Sequence, residues 1–326
     1  MLLRRGDRGN AVRDLSARLV SAGACEAAGD VFDEGLERAV RAFQEARGLR
    51  VDGICGPETW GALVESGFSL GDRLLYLAHP MLRGDDVAEL QHRLNVLGFD
   101  AGREDGILGR ETDTALRQFQ RNTGTSADGV CGPSTLEAIK RVSSLAAGSV
   151  ASVRERESLR SPRHLDELRV FIAAEPAMAV LATSVTKALR FVGANAVADS
   201  SGSDPGILTA EANRFEADVF LALTNSGDPG ARCAYFASGT FRSEGGLCLA
   251  IGLTESLRTV LTKVDDPVGR TYRFLRETRM PAVVCEFVGS DDRETRAMLT
   301  SKVPEISRAV VEGLRRGVEE PHGDEL

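Results

Sequence analysis

Hydrolysis assisted by a metal ion needs imidazoles and carboxylates brought together. This chain has only four histidines in 326 residues, His79, His92, His164 and His322. None falls within residues 167–320, where strands and helices are expected to alternate. Six cysteines (Cys25, Cys55, Cys131, Cys233, Cys248, Cys285) are scattered without a CxxC pair, so they read as reduced, small and mostly buried residues. Cys285 precedes Glu286 at the end of an apolar run. Strand alternation points such a cysteine into the core, and no histidine is near in sequence to activate it as a nucleophile. Glu286 is the best-placed carboxylate and Glu175 a second. Without a metal, a lone carboxylate at a strand end acts as a cap or hydrogen-bonding group.

The elements that must position these residues begin with an internal repeat. Ala39-Val40-Arg41-Ala42-Phe43-Gln44 returns 76 residues later as Ala115-Leu116-Arg117-Gln118-Phe119-Gln120. Asp52-Gly53-Ile54-Cys55-Gly56-Pro57-Glu58-Thr59 returns with the same offset as Asp128-Gly129-Val130-Cys131-Gly132-Pro133-Ser134-Thr135. In each unit Val12, Leu15 and Leu19, or Val87, Leu90 and Leu94, share one helical face, and Gly23 or Gly98 can end that helix. A second helix carries Val40 and Phe43. A third starts at Gly56-Pro57, where proline suits the first helical position, and carries Trp60 and Leu63. Each unit is therefore expected to be a three-helix bundle, with Phe43, Phe119 and Trp60 in its core. The binding candidates are Asp52, Gly53, Gly56, Asp128, Gly129 and Gly132, which either shape a turn or touch a ligand.

These motifs resemble the peptidoglycan-binding-like domain of bacterial wall hydrolases, over roughly residues 3–66 and 80–142. The expected division is residues 1–70 and 71–143 for the two domains, a Ser/Ala/Gly/Arg-rich linker at 144–166, a third domain at 167–320 and a tail at 321–326.

In the third domain Leu168–Ala173, Val219–Leu223 and Ala282–Cys285 read as buried strands. Helices are expected over Met178–Val192, Leu247–Val264 (long and amphipathic) and Ile306–Leu314. The alternation argues an α/β fold with a mainly parallel sheet, making the whole a multidomain chain of two small all-α bundles and one α/β domain. Ala212-Asn213 with Ala217–Leu223, and Arg279-Met280-Pro281-Ala282-Val283-Val284-Cys285-Glu286, resemble segments of the zinc-dependent N-acetylmuramoyl-L-alanine amidases (amidase type 3). In that family two histidines and a glutamate hold zinc. The resemblance places Ala173-Ala174-Glu175-Pro176 at the first histidine's loop, Thr224-Asn225 at the second histidine, and Glu286 at the catalytic glutamate. Neither histidine is present. No metal, no cofactor and no catalytic residue are expected, with Glu286 as a remnant.

Two repeats ahead of a degenerate amidase domain are similar to the CwlM-like actinobacterial cell-wall regulators, as is the stretch Val153–Ser161. The resemblance implies a non-catalytic regulator or scaffold of peptidoglycan biosynthesis. It implies a peptidoglycan precursor or muropeptide as ligand, and as partners a Ser/Thr kinase, the enolpyruvyl transferase of wall synthesis and the lipid II flippase. The family's phosphorylated threonines lie in a C-terminal tail, and residues 321–326 contain none. A zinc amidase and a plain peptidoglycan-binding module are the alternative readings. The formal net charge of −8, with no basic block, argues against nucleic acid. Met1–Arg8 lacks the apolar core of a signal peptide, and no apolar run approaches membrane-spanning length. The expected location is the cytoplasm, peripheral at the membrane through a protein partner.

Overall fold

The computed structural model describes residues 2–25, 28–142, 164–226, 230–238, 241–288 and 301–319. The linker stretch including Val153–Ser161, and the tail with His322, lie outside them. The helical repeats form one compact unit and the α/β domain another.

The first repeat comprises α1 (Asn10–Ser21), α2 (Glu34–Ala46) and α3 (Pro57–Glu65), and the second α4 (Asp85–Val96), α5 (Arg110–Thr123) and α6 (Pro133–Val142). Apolar residues three and four apart give each helix one buried face, and these faces converge. Val12, Leu15, Leu19, Phe32, Val40, Phe43 and Leu63 form one core. Val87, Leu90, Leu94, Leu116, Phe119 and Ile139 form the other. Asp33 caps α2 by accepting the Leu36 N–H at 2.9 Å, while Pro57 and Pro133 open α3 and α6. A short antiparallel bridge closes each bundle, Leu3 to Cys55 and Leu75 to Cys131. Trp60 is half-buried rather than fully in the core. Its ring takes the Arg18 guanidinium at 5.3 Å, so its outer face serves a cation and its inner face the bundle.

The third domain runs β1 (Arg169–Ala174), α7 (Ala179–Phe191), β2 (Asn195–Asp199), α8 (Pro205–Arg214), β3 (Val219–Ser226), β4 (Arg232–Phe236), α9 (Glu244–Arg258), β5 (Val268–Arg270), α10 (Arg273–Glu277), β6 (Ala282–Val288) and α11 (Val303–Glu319). The sheet order is β2-β1-β3-β6-β4-β5. Described neighbours are parallel except β4 and β6, which pair antiparallel. Alternate residues give the sheet two different faces. Val170, Ile172, Leu221, Leu223, Val283 and Cys285 pack beneath α7, α9 and α11. On the other face Phe171 and Phe220 stack at 6.0 Å, flanked by Phe215 at the end of α8 and Phe274 on α10.

Two expectations change. The helix expected over Leu247–Val264 is Glu244–Arg258, capped by the Ser243 hydroxyl, and its chain then turns so that Val264 can bridge Ala231. It is also buried nearly all round, because it lies between the sheet and α11. Gly252, Gly313 and Gly317 bring α9 and α11 into backbone contact: a Cβ on Gly317 would meet Leu249 Cα at 2.7 Å. At the other end of the domain Leu165 is buried in its core.

Candidate functional site

In an open parallel sheet, sites form where the strands' carboxyl ends meet. Here β1 ends at Ala174 opposite Leu223, placing Glu175 next to Thr224. Thr224 pairs with Glu286, and Glu286 pairs with Arg232 at the start of the antiparallel β4. Thr224, Glu286 and Arg232 thus form one row across three strands.

Glu286 is 4% exposed. Its Oε2 accepts the Arg232 Nε–H at 3.2 Å and its Oε1 accepts the Tyr272 hydroxyl at 2.8 Å. Tyr272 is raised well above the usual phenol range by burial, then by the Glu286 charge and their hydrogen bond, so it remains a donor across the physiological range. Arg270 is buried near this hydroxyl and opposes the shift, as does Arg232. Glu175 is held by the backbone of β3: its Oε2 accepts the Asn225 N–H at 3.2 Å and its own N–H donates to Leu223 O at 3.0 Å.

A zinc ion needs lone pairs from nitrogen, sulfur or oxygen in a tetrahedral cage. The side chains around Glu286 are a guanidinium and a phenol, both donating hydrogen bonds to it, and a threonine at the position the amidase resemblance gives to a histidine. A guanidinium carries no lone pair to give and repels a cation. These residues do not fit zinc. Among the described residues, no group of three or more His, Cys, Asp or Glu side chains is placed to hold a metal.

The remaining titratable candidates are elsewhere. Cys285 faces the opposite side of the sheet, beside Cys233, where that neighbouring thiol and burial push its own thiol well above the usual range. His92 contacts the buried Glu104 at 3.0 Å, His164 lies 3.8 Å from Glu319, and His79 sits against its neighbour's carbonyl, Ala78 O, at 2.7 Å.

In the repeats the six sequence candidates occupy two equivalent turns. The buried Gln44 holds the first: its Nε2 contacts Asp52 Oδ1 at 2.8 Å, Ile54 O at 3.0 Å and Thr59 Oγ1 at 3.1 Å, and its Oε1 accepts the Gly53 N–H at 2.9 Å. Gln120 makes the same four contacts with Asp128, Val130, Thr135 and Gly129. The Val130 N–H first, then Gln120, hold Asp128 below the usual carboxylate range. Gly53 and Gly129 have φ of 73° and 74°, where a side chain would be strained. Gly56 and Gly132 precede the first turns of α3 and α6.

A third such turn escaped the sequence reading. Gln91 on α4 bonds Asp105, Ile107, Thr112 and Gly106 in the same way. The signal is present as Asp105-Gly106-Ile107-Leu108-Gly109-Arg110-Glu111-Thr112, but this copy lies within one unit and off the 76-residue period. At the matching position of the first repeat, Ser16 replaces glutamine and accepts the Gly29 N–H at 2.9 Å.

Residues 8–63 and 83–139 match the peptidoglycan binding domain family. The N-acetylmuramoyl-L-alanine amidase CwlM of Mycobacterium tuberculosis is 35% identical over 97% of this chain and 88% of its own length. The N-acetylmuramoyl-L-alanine amidase CwlL of Bacillus licheniformis is 31% identical over 43% of this chain and 45% of its own. The amidase Ami1 of Mycobacterium smegmatis overlays 48% of this chain and 99% of its own at 13% identity, with a TM-score of 0.39. With two peptidoglycan-binding domains, an amidase-like α/β domain and end-to-end similarity to the mycobacterial protein, the chain belongs to the CwlM family.

Proposed function

We propose that this protein is a non-catalytic regulator or scaffold of peptidoglycan biosynthesis whose amidase-like domain is a pseudoenzyme. The observation that carries this is the partnering of Glu286. A catalytic glutamate must be free to take and return a proton near a polarised water. Here an arginine and a tyrosine hold both carboxylate oxygens, and a threonine stands beside it in the sheet. A positive charge that neutralises Glu286 fulfils locally what a cation would, without activating water.

The repeats supply the ligand-facing half of this reading: they engage a peptidoglycan precursor or muropeptide. By the family resemblance, the partners are the enolpyruvyl transferase and the lipid II flippase, with a Ser/Thr kinase acting on the chain in the cytoplasm. The names of the relatives favour a second reading, hydrolysis of the bond between muramic acid and L-alanine. One preparation separates the two. Purified full-length chain is analysed for zinc, incubated with muropeptides, and titrated into an enolpyruvyl transferase assay before and after Ser/Thr kinase treatment. Trace zinc, no released stem peptide and an altered transferase rate are expected; stoichiometric zinc with turnover refutes the proposal.

A further inference from the structure

The core face of the β4–β6 pair carries two thiols, one on each strand, that neither reading of the domain uses. Cys233 on β4 and Cys285 on β6 stand directly opposite each other in the antiparallel ladder. Their sulfurs are 3.7 Å apart, and the residues are 0% and 1% exposed. Both are reduced. On the next rung of the same ladder stand Arg232 and Glu286.

We propose that Cys233 and Cys285 are a modification site: they form a reversible cross-strand disulfide, with a hydroperoxide as the oxidant. The peroxide oxidises one sulfur to a sulfenic acid and leaves as water. The second sulfur attacks the first, the S–S bond forms, and the sulfenic oxygen departs as a second water carrying the remaining thiol proton. Two thiols and one hydrogen peroxide give one disulfide and two waters. The sulfurs must close to about 2.05 Å, an approach of roughly 1.7 Å that side-chain rotation and a slight narrowing of the strand pair supply. Leu249 and Leu253 belong to the same core, so the oxidant reaches the pair only when the sheet opens. Oxidation therefore takes minutes to hours rather than seconds.

The bond joins residues 52 apart in sequence and fixes β4 to β6 beside the Arg232–Glu286 ion pair. Its product is a clamp on the polar row, and it stands whether or not the domain is catalytic.

The test oxidises the folded full-length chain with hydrogen peroxide, blocks remaining thiols and maps tryptic peptides without reduction. Trypsin frees one peptide from Cys233 to Arg242 and another from Met280 to Arg293, each with a single cysteine. The expected result is these two joined, about 2 Da lighter than their sum. The oxidised protein melts about 10 °C higher than the reduced one, and dithiothreitol reverses both changes. Cys233→Ser abolishes the link and the shift; if it does not fold, Cys285→Ala serves, and the wild-type map stands alone. The proposal fails if the half-buried Cys25 is oxidised while Cys233 and Cys285 remain alkylatable thiols. It also fails if they join only after unfolding, or join without raising the melting temperature.

Discussion

Replacing Gln44 by alanine should unfold the first repeat. An amide nitrogen has two protons to donate, so the three Nε2 contacts amount to two full hydrogen bonds, and the Gly53 N–H contributes a third. At about 1 kcal/mol each, with the buried Gly53 N–H left unpaired as well, the loss is about 3–5 kcal/mol. A bundle of this size has about that much stability in total. The Ser16→Ala variant removes the bond from Gly29 in the same bundle and costs about 1 kcal/mol. Trp60 is the chain's single tryptophan, so its emission during a urea titration of the full-length protein reports this repeat alone. Gln44→Ala should lose its folded baseline, while Ser16→Ala shifts the midpoint by about 1 M. Gln44→Glu tests the polarity: it keeps an oxygen for Gly53 but sets a second carboxylate against Asp52, so it should be stabilised by acid. If Gln44→Ala lies within 1 kcal/mol of wild type, or if the two alanine variants behave alike, the turn is not held by its glutamine.

The α9–α11 contact should tolerate no added methyl group. Gly317→Ala, whose Cβ meets Leu249 Cα at 2.7 Å, should destabilise the α/β domain by about 2–4 kcal/mol in calorimetry. Gly61→Ala on α3, with open space around its Cβ, should stabilise the first repeat by about 0.5–1 kcal/mol through helix propensity. Burial pushes the Cys131 thiol up to about 12, whereas the unfolded chain ionises near 9. The folded state therefore keeps a proton that the unfolded state releases. The contribution is complete below pH 9 and falls as pH rises from 9 towards about 12. Second-repeat stability by urea titration at stepped alkaline pH should decline by a few kcal/mol, and Cys131→Ala should flatten the decline.

How far these features could be read in advance depended on how local their causes were. Val12, Leu15 and Leu19 declare a helical face because three- and four-residue spacing is a property of the chain itself, and Gly56-Pro57 declares a helix start for the same reason. Gln44 gave no such sign. A glutamine on a helix says nothing about which carboxylate, carbonyl or hydroxyl 8 to 15 residues away it will reach. The third turn was hidden by Arg110, which stands where the other two have proline. In the α/β domain β3 and β6 were legible as continuous apolar runs, the mark of strands buried on both faces. The strands β2, β4 and β5 were not read, because Asn195–Asp199 and Arg232–Phe236 mix polar and apolar residues and Val268–Arg270 is only three residues long.

Composition and spacing alone settled the repeat and the lack of histidine between residues 167 and 320. They placed Glu286 at a strand end. Only the folded sheet supplied what stands against it: Arg232 lies 54 residues earlier and Tyr272 14 residues earlier, on different elements. The same register set Cys285 against Cys233. Strand pairing across long loops depends on which apolar faces meet, and that is a property of the whole core rather than of any segment.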